Sequence, residues 1–416
     1  MERSRFWKSF GPGLLWAATA IGVSHLVQST RAGADAGFGL VVVILVALAL
    51  KYPFFEFGSR YAAATGESLV EGYRRIGAWA LWLYMLITAV TAVIVQAAVL
   101  VFTGFLLLYM LGAEWSLVGA VALVYAASAL LLRIGRFRAY DVTVKTLMAV
   151  LAVTTLIAAA VALPRADLSS FTVWPGGAGV SLAFVIALVG WMPAGMDVAA
   201  WSSLWTLAKD DAAGVRTDRE TARLDFLIGY IGTTVLALAF VVLGAAVMHR
   251  SGESFSAAGP AFATQLVDLY ARTLGEWTRP LIVVAAFTTM LTTAITVIDG
   301  FPRAIDRSVR VLRAPALATV VRSGVTGRVY WVAVGTFGLA VIIVSARFTG
   351  SLAGMVDLAT TVSFLTAPVL AWLTLRAMTG AIVPPEHRPG PLLRSLAYVG
   401  IVLLAGTGLI YLAGFL

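Results

Sequence analysis

Residues 184–205 read FVIALVGWMPAGMDVAAWSSLW, and this apolar stretch carries Gly, Pro and Gly within residues 190–195. A second apolar stretch, GLLWAATAIGVSHLVQSTRAG at residues 13–33, is interrupted in its middle by Gly22-Val23-Ser24-His25. Relative to alanine, glycine destabilises a helix by about 1 kcal/mol and proline by about 3 kcal/mol. Both stretches are therefore predicted to be helices that unwind at their centres.

The chain as a whole has the composition of an integral membrane protein. Hydrophobic residues make up 60% of its 416 positions and charged residues 12%, and its mean hydropathy is +0.92. A soluble domain carries about 25% charged residues, so this class is excluded. The sequence has no cysteine, which excludes disulfides and thiolate metal sites. It also lacks a nucleotide-binding loop and an HExxH motif, and no cofactor is expected.

Long apolar runs divide the chain into eleven predicted transmembrane helices. A membrane core about 30 Å thick requires about 20 apolar residues per helix. Runs of this kind occur at residues 12–33, 38–60, 78–110, 116–132, 144–163, 179–208, 222–248, 279–300, 329–346, 353–377 and 392–415. The fold class is therefore an all-α polytopic membrane protein.

Two connections between the spans carry predictions of their own. The connection at 249–278 contains AFATQLVDLYARTL, which could form an interfacial helix, and the basic, polar connection at 301–328 is predicted to be a mobile loop.

The basic residues predict the orientation of these spans. With the N-terminus in the cytoplasm, 23 of the 30 lysines and arginines fall in cytoplasmic segments and six in outer ones. Cytoplasmic connections are rich in Lys and Arg, so we expect an inner-membrane protein of bacterial type whose N-terminus is inside and whose C-terminus is outside. The basic residues behind the net charge of +9 are then expected to face anionic lipid at the membrane surface. No nucleic-acid partner is expected.

The positions of the two interruptions point to transport. They lie in spans one and six, which open two successive groups of five spans. Paired breaks at corresponding positions of two halves are typical of transporters built from inverted repeats. Unwound backbone within a membrane is tolerated where it lines a cavity or is buried in protein. The alternative is that both are ordinary kinks, because Gly and Pro are common in membrane helices.

Several motifs resemble the Nramp family of divalent-metal transporters. They are Gly11-Pro12-Gly13, Ala32-Gly33, Gly37-Phe38, Ala64-Thr65-Gly66 and Met192-Pro193. The resemblance implies a LeuT-type fold with a first five-helix repeat at 11–163, a second, inverted repeat at 178–378, and an extra helix at 391–415.

The family's metal ligands are largely replaced. Its first-span motif Asp-Pro-Gly-Asn corresponds to Gly22-Val23-Ser24-His25, and its Met-Pro-His corresponds to Met192-Pro193-Ala194. Its acidic third-span positions correspond to Leu86, Val93 and Gln96. A divalent cation requires anionic or several hard oxygen ligands. We therefore expect that the proton-coupled manganese or iron transport of the family is lost.

Ionisable residues within the membrane are candidates for function. His25 could carry a proton, bind a metal or bond neighbouring helices. Asp197 could supply negative charge, couple to protons, or pair with Lys51. Lys51 could act as a fixed substitute for a bound sodium ion, or extend to the membrane surface.

The candidate residues form three overlapping sets. Those expected to bind the solute are Gly22, Val23, Ser24, His25, Gln28, Gly190, Trp191, Met192 and Asp197. Those expected to couple transport or balance charge are His25, Lys51, Asp197 and Gln96, with H⁺ or Na⁺ as the coupling ion. Those that could bind a metal, if any is bound, are His25, Met192 and Asp197.

Three functions compete. The first is secondary transport of a small solute or ion other than the family's metals. The second is transport of a divalent cation such as Mg²⁺ or Mn²⁺ through a remodelled site. The third is an intramembrane enzyme, which is disfavoured because Ser24 and His25, adjacent on a helix, should point about 100° apart.

Overall fold

The computed structural model describes residues 11–134, 137–173, 179–314, 327–347 and 351–414, with only the backbone described at 137–148 and 250. All the regular secondary structure in these ranges is helical. The helices are α1 (Pro12–Ala20), α2 (Thr30–Ala36), α3 (Val41–Thr65), α4 (Leu69–Ile76), α5 (Ala78–Leu111), α6 (Leu117–Ile134), α7 (Phe137–Ala162), α8 (Leu182–Trp191), α9 (Val198–Ala213), α10 (Arg219–Val247), α11 (Gly259–Leu274), α12 (Arg279–Arg313), α13 (Arg328–Ser345), α14 (Leu352–Met378) and α15 (Pro391–Ala413). A π-helical segment, Ser24–Ser29, leads into α2.

The helices account for the eleven predicted spans. Within the described ranges, eight helices are long and apolar enough to cross a membrane. Helix α7 supplies a ninth crossing with its 26 residues. The remaining two are the interrupted spans, in which α1 is continued by the π-helical segment and α2, and α8 by α9. The prediction of a polytopic all-α membrane protein is confirmed.

Spans eight and eleven show the range of environments in the bundle. In the span at Glu276–Arg313, 72% of an apolar 18-residue segment is buried inside the protein. In the last span, at Pro391–Ala413, the corresponding share is 22%. Leu392, Val402 and Leu409 on α15 are largely exposed. An apolar exposed face is stable where lipid replaces water. Span eight is therefore a central helix and span eleven a peripheral one.

The predicted mobile loop at 301–328 is wrong for its first half, because α12 continues through Arg313. Oppositely charged residues four positions apart stabilise this extension: Arg303 lies 2.7 Å from Asp299, and Arg310 lies 2.5 Å from Asp306. The charges that suggested a loop are thus partners on one helix. Residues 315–326 lie outside the described part of the chain.

Two shorter helices complete the connections. The predicted helix in the 249–278 connection is confirmed as α11, which packs against α5, α7 and α12. Helix α4 was not predicted. It begins with a capping box formed by Ser68 and Glu71, an arrangement in which side chains satisfy the free N–H groups of the first turn.

Span one is held against α10 on both sides of its break. The Asp225 carboxylate accepts hydrogen bonds from the main-chain N–H groups of Gly11 and Gly13, at 3.2 and 2.7 Å, and so caps α1. A Cβ atom on Gly33 would lie 2.1 Å from the Val241 carbonyl oxygen. This approach requires glycine, which lets membrane helices pack closely. Both halves of span one are therefore anchored to α10, and these contacts fix the position of the break between them.

Candidate functional site

The break in span one is short and begins where α1 ends. Ile21 leaves the helical conformation at φ −78° and ψ 75°. The chain then resumes as the π-helical segment from Ser24 onward. Gly22 lies against span eight, since a Cβ atom there would be 2.7 Å from Thr293 Oγ1. The predicted unwinding in span one is confirmed.

The break in span six is longer. Helix α8 ends at Trp191 and α9 begins at Val198. The residues between them are not helical, and the Met192–Pro193 peptide bond is cis. Gly190 packs directly on α14, where a Cβ atom would lie 2.1 Å from the Thr360 carbonyl oxygen. The predicted unwinding in span six is confirmed.

A cavity of about 40 Å³ lies between the two breaks. Four of the candidate solute-binding residues line it: Val23, Ser24, Trp191 and Asp197. Its other lining residues are Thr19, Ala20, Val95, Val99, Pro193, Ala194, Gly195, Val198, Trp201, Thr293, Val297, Phe301 and Ser363. The remaining candidates, Gly22, His25, Gln28, Gly190, Met192, Lys51 and Gln96, do not line it.

Three aromatic rings form part of the cavity wall. Trp191 donates its indole N–H to Ser363 Oγ at 2.8 Å, which fixes the ring on α14. Trp201 and Phe301 pack edge to face with ring centroids 4.5 Å apart. Sequence reasoning missed Trp201 and Phe301 because α9 and the second half of α12 showed no break. The dense tryptophan content of 191–205 was the available signal.

Among the described residues, Asp197 is the one acidic residue on the cavity wall. It lies at the N-terminus of α9 and is 3% exposed. Thr91 Oγ1 donates a hydrogen bond to its carboxylate at 3.4 Å. No Lys, Arg or His side chain forms an ion pair with it in the described ranges, since the ion pairs recorded there all involve other acids. Asp197 therefore forms part of the cavity wall without an ion-pair partner among the described residues.

His25 lies behind the cavity wall and contacts α10. Its Nε2 atom is 2.9 Å from the Thr233 carbonyl oxygen, and its Nδ1 atom is 2.7 Å from Ser24 Oγ. A carbonyl oxygen only accepts hydrogen bonds, so Nε2 carries a proton. The expectation that the Ser24 and His25 side chains diverge is wrong, because the π-helical segment does not follow the α-helical 100° rotation. Both imidazole nitrogens are nevertheless engaged away from the cavity.

Lys51 binds the end of α8. Its ammonium donates to the carbonyl oxygens of Val189, Gly190 and Ala194 at 3.0, 3.0 and 2.9 Å. These three bonds use all its N–H groups. The alternative in which Lys51 pairs with Asp197 is not formed, and neither does Lys51 reach the surface, since it is fully buried.

Gln28, Gln96 and Met192 have separate surroundings. Gln28 donates to Asp357 and Thr360 on α14, at 3.3 and 3.4 Å. Gln96 is fully buried, and neither atom of its amide has a hydrogen-bond partner. Met192 is fully buried outside the cavity wall. Of the three candidate metal ligands, the structure places only Asp197 at the cavity.

The acceptor groups at the site do not form a cluster of metal ligands. In the described part of the chain, no group of three or more His, Asp or Glu side chains is placed to hold a metal ion. The cavity wall offers instead one carboxylate, hydroxyl groups and aromatic rings. This set suits a small polar or cationic solute better than a transition metal, which binds through several nitrogen, sulfur or oxygen ligands.

Solved structures of similar fold include a manganese transporter and a protein bound to an amino acid. The chain superimposes on a manganese transporter of Eremococcus coleocola with a TM-score of 0.68 and 14% identity, covering 98% of this chain and 86% of that one. It also superimposes on MhsT in complex with L-phenylalanine, with a TM-score of 0.61 and 14% identity, covering 96% and 98% of the two chains. These likenesses establish a LeuT-type fold.

Sequence comparison gives the family. An uncharacterized protein of Pasteurella multocida is 34% identical over 99% of this chain and 94% of its own length. The family model described as natural resistance-associated macrophage protein-like matches residues 13–414. On this match the chain belongs to the Nramp family of membrane transporters.

Proposed function

We propose that this chain is a secondary active transporter that moves a small solute across a bacterial-type inner membrane by alternating access, and that this solute is not manganese or iron. The observation that carries the proposal is the cavity at the two helix breaks, where only one of the three candidate metal ligands is present. Folds of this type serve many substrates, so the site decides the function.

The alternative is a divalent-cation transporter with a remodelled site. Mg²⁺ retains several waters and can be bound through one or two carboxylates. In the part of the chain that the structure describes, Asp197 is the only acidic residue on the cavity wall, and His25 and Met192 lie behind this wall. A divalent ion would therefore keep one uncompensated positive charge in a site of low dielectric constant, which is costly. This cost favours the first function. A chemical role for Ser24 and His25 is disfavoured because the group that orients the imidazole is the neutral Thr233 carbonyl and not a carboxylate as in a triad.

The proposal includes the orientation and the coupling. The N-terminus is cytoplasmic and the C-terminus external, and the inverted repeats span 11–163 and 178–378, followed by the helix at 391–415. The coupling ion is H⁺ or Na⁺. His25, Lys51, Asp197 and Gln96 remain the candidates for coupling or charge balance, with the Lys51 amino group bound at the end of α8.

Flux into proteoliposomes tests transport. We expect an inward proton or sodium gradient to drive uptake of a member of a panel of small amines, amino acids and divalent metals. Asp197→Asn should abolish this uptake. Asp268→Asn, which alters an ion pair with Arg279 outside the cavity, is the matched control and should retain it. Failure of every gradient to drive any flux would contradict the proposal.

Calorimetry separates the two candidate functions. Mn²⁺, Fe²⁺ and Mg²⁺ are titrated into the purified protein and into His25→Ala. We expect no binding of these metals up to millimolar concentration. Saturable binding that is weakened in His25→Ala would instead support the divalent-cation alternative.

A further inference from the structure

We propose that the transported solute is a small monovalent organic cation, a primary alkylammonium ion, held between the Asp197 carboxylate and the aromatic rings of the cavity. This inference rests on the proposed transport function and names its substrate class. It depends on four properties of the cavity: its charge, its aromatic wall, the direction of its hydroxyl groups and its size.

An ionised Asp197 carboxylate favours a cationic guest. Asp197 is nearly fully buried, and its one side-chain partner, Thr91, is neutral. A buried charge is stable only when it is paired or hydrogen-bonded. Lys51 cannot neutralise it, since its ammonium is bound to three main-chain oxygens of span six. With a guest of one positive charge, the net charge of the guest and the Asp197 carboxylate is zero. A divalent cation would leave a net charge of +1, and a monovalent anion would give −2.

The aromatic wall favours an organic ammonium over a bare metal ion. Indole and phenyl faces attract a cation through their quadrupole, most strongly where the cation is desolvated. They offer no oxygen to replace the hydration shell of Na⁺ or Mg²⁺. Trp191 is fixed by Ser363, and Trp201 is packed on Phe301, so these rings are already in position before a guest enters. Val95 and Val297, also on the wall, provide apolar surface for an alkyl group.

Three of the four hydroxyl groups on the cavity wall in the described ranges, all except Ser363, are arranged as acceptors. Thr19 donates its hydrogen to the Leu15 carbonyl at 2.8 Å, and Thr293 donates to the Ala18 carbonyl at 3.1 Å. Ser24 Oγ lies within hydrogen-bonding distance of both the Ala20 carbonyl and His25 Nδ1, so its single hydrogen is also engaged within span one. Since a hydroxyl has a single hydrogen, the lone pairs of these oxygens remain for a guest that donates. An ammonium group donates three hydrogen bonds and accepts none, so it matches this wall, while a carboxylate does not.

The size of the cavity restricts the guest further. A volume of about 40 Å³ exceeds that needed for one water molecule and leaves room for only a few non-hydrogen atoms. Methylammonium, ethylammonium and ethanolammonium are in this range. Longer or bulkier cations, such as long diamines and tetramethylammonium, are expected to fit this cavity less well.

Equilibrium binding to the purified full-length protein tests the assignment. Methylammonium or ethylammonium chloride is titrated at constant ionic strength against NaCl, and tryptophan fluorescence reports binding through Trp191 and Trp201. We expect saturable binding of both ions. Glycine, acetamide, tetramethylammonium and MnCl₂, titrated in the same way, should produce no saturable change.

Two classes of variant distinguish the expected contacts. Asp197→Asn should weaken binding at least tenfold, and Asp268→Asn, outside the cavity, should leave it unchanged. Phe301→Leu keeps an apolar side chain but removes the ring, and should weaken binding about fivefold. If Asp197→Asn does not give a monodisperse protein, the comparison of Phe301→Leu with the wild type is sufficient to test the proposal.

The outcomes separate this inference from the transport proposal. Binding of glycine or Mn²⁺ that is lost in Asp197→Asn, without ammonium binding, overturns the substrate class while transport stands. Ammonium binding that is unchanged in both Asp197→Asn and Phe301→Leu also overturns it. Ammonium binding with the expected losses, but without a gradient-driven current in proteoliposomes, supports the site and contradicts transport.

Discussion

At the scale of single residues, Lys51 shows how a charge is stabilised inside the membrane without a carboxylate. The last carbonyl groups of a helix have no partner within the helix, and they form the negative end of its dipole. Helix α8 ends in the middle of the bundle, so water cannot satisfy these groups. The Lys51 ammonium does so, and it joins span two to the break of span six.

Lys51→Met is expected to destabilise the protein. The methionine side chain fills similar space but removes the donor of the Gly190 and Ala194 carbonyl groups, whereas Val189 keeps the bond from the Met192 N–H, and an orphaned buried group costs about 1–3 kcal/mol. We expect thermal unfolding in detergent at a clearly lower temperature than for the wild type. Lys209→Met at the end of α9, where the side chain is partly exposed, is the control and should unfold like the wild type. An unchanged Lys51→Met would show that these bonds do not stabilise the break.

Residue identity alone predicted which side chains are ionisable within the membrane, but not where they point. His25 falls in the break by sequence, yet the π-helical segment turns it toward Thr233 and leaves Ser24 at the cavity. Gln28 is likewise directed to α14. The direction of a side chain depends on the local helical rotation, and this rotation is irregular wherever a helix unwinds. Asp197 was found because the break in span six ends at its position.

At the scale of elements, span one and span ten are joined on the predicted outer side of the cavity. Arg31 lies 2.7 Å from Asp357 on α14, and Gln28 donates to both Asp357 and Thr360. Asp357 is 39% exposed, so solvent screens this ion pair, and such a pair contributes about 0.5–1 kcal/mol. A contact of this strength can be made and broken as a carrier cycles.

Asp357→Ala is therefore expected to open the cavity toward the outside. Losing about 0.5–1 kcal/mol corresponds to a two- to fivefold larger population of the open state. The measurement is the rate at which an impermeant thiol reagent, added outside, modifies Val95→Cys on the cavity wall. Labelling can be assigned to this single cysteine because the natural chain has no cysteine.

The matched control for this experiment is Glu253→Ala. It removes an exposed ion pair with Arg272 that lies 2.9 Å apart and does not join spans one and ten. Labelling of Val95→Cys should stay at the wild-type rate in this background. Equal rates in the Asp357→Ala and Glu253→Ala backgrounds would show that the Arg31 contact does not restrain the outer side.

Sequence patterns predicted the long apolar helices well, but they predicted the charged helical segments outside the membrane core poorly. Apolar runs predicted the spans because each span must cross the membrane core. The Gly-Pro-Gly cluster predicted the break in span six. The extension of α12 to Arg313 was missed because its stability comes from pairs such as Arg307 with Glu71, 2.6 Å apart and on different helices. Composition cannot reveal a partner that is more than 200 positions away in the chain.

At the scale of the whole molecule, the distribution of basic residues predicts a direction for the bundle. Lys and Arg in short connections are retained in the cytoplasm, and 23 of 30 fall on one side. The Arg31–Asp357 contact and the connection containing α11 then lie outside. The exposed Asp211, which follows the second half of span six, lies inside. Every assignment of an outer and inner side to the cavity depends on this orientation.

Cysteine labelling in intact cells tests the orientation directly. Ser254→Cys, exposed in the connection before α11, should react with an impermeant maleimide added outside. Asp211→Cys should react only after the membrane is permeabilised. The wild type, which has no cysteine, gives the background of each experiment. The reverse pattern would place the N-terminus outside, and the Arg31–Asp357 contact would then face the cytoplasm, although the cavity and its chemistry would be unchanged.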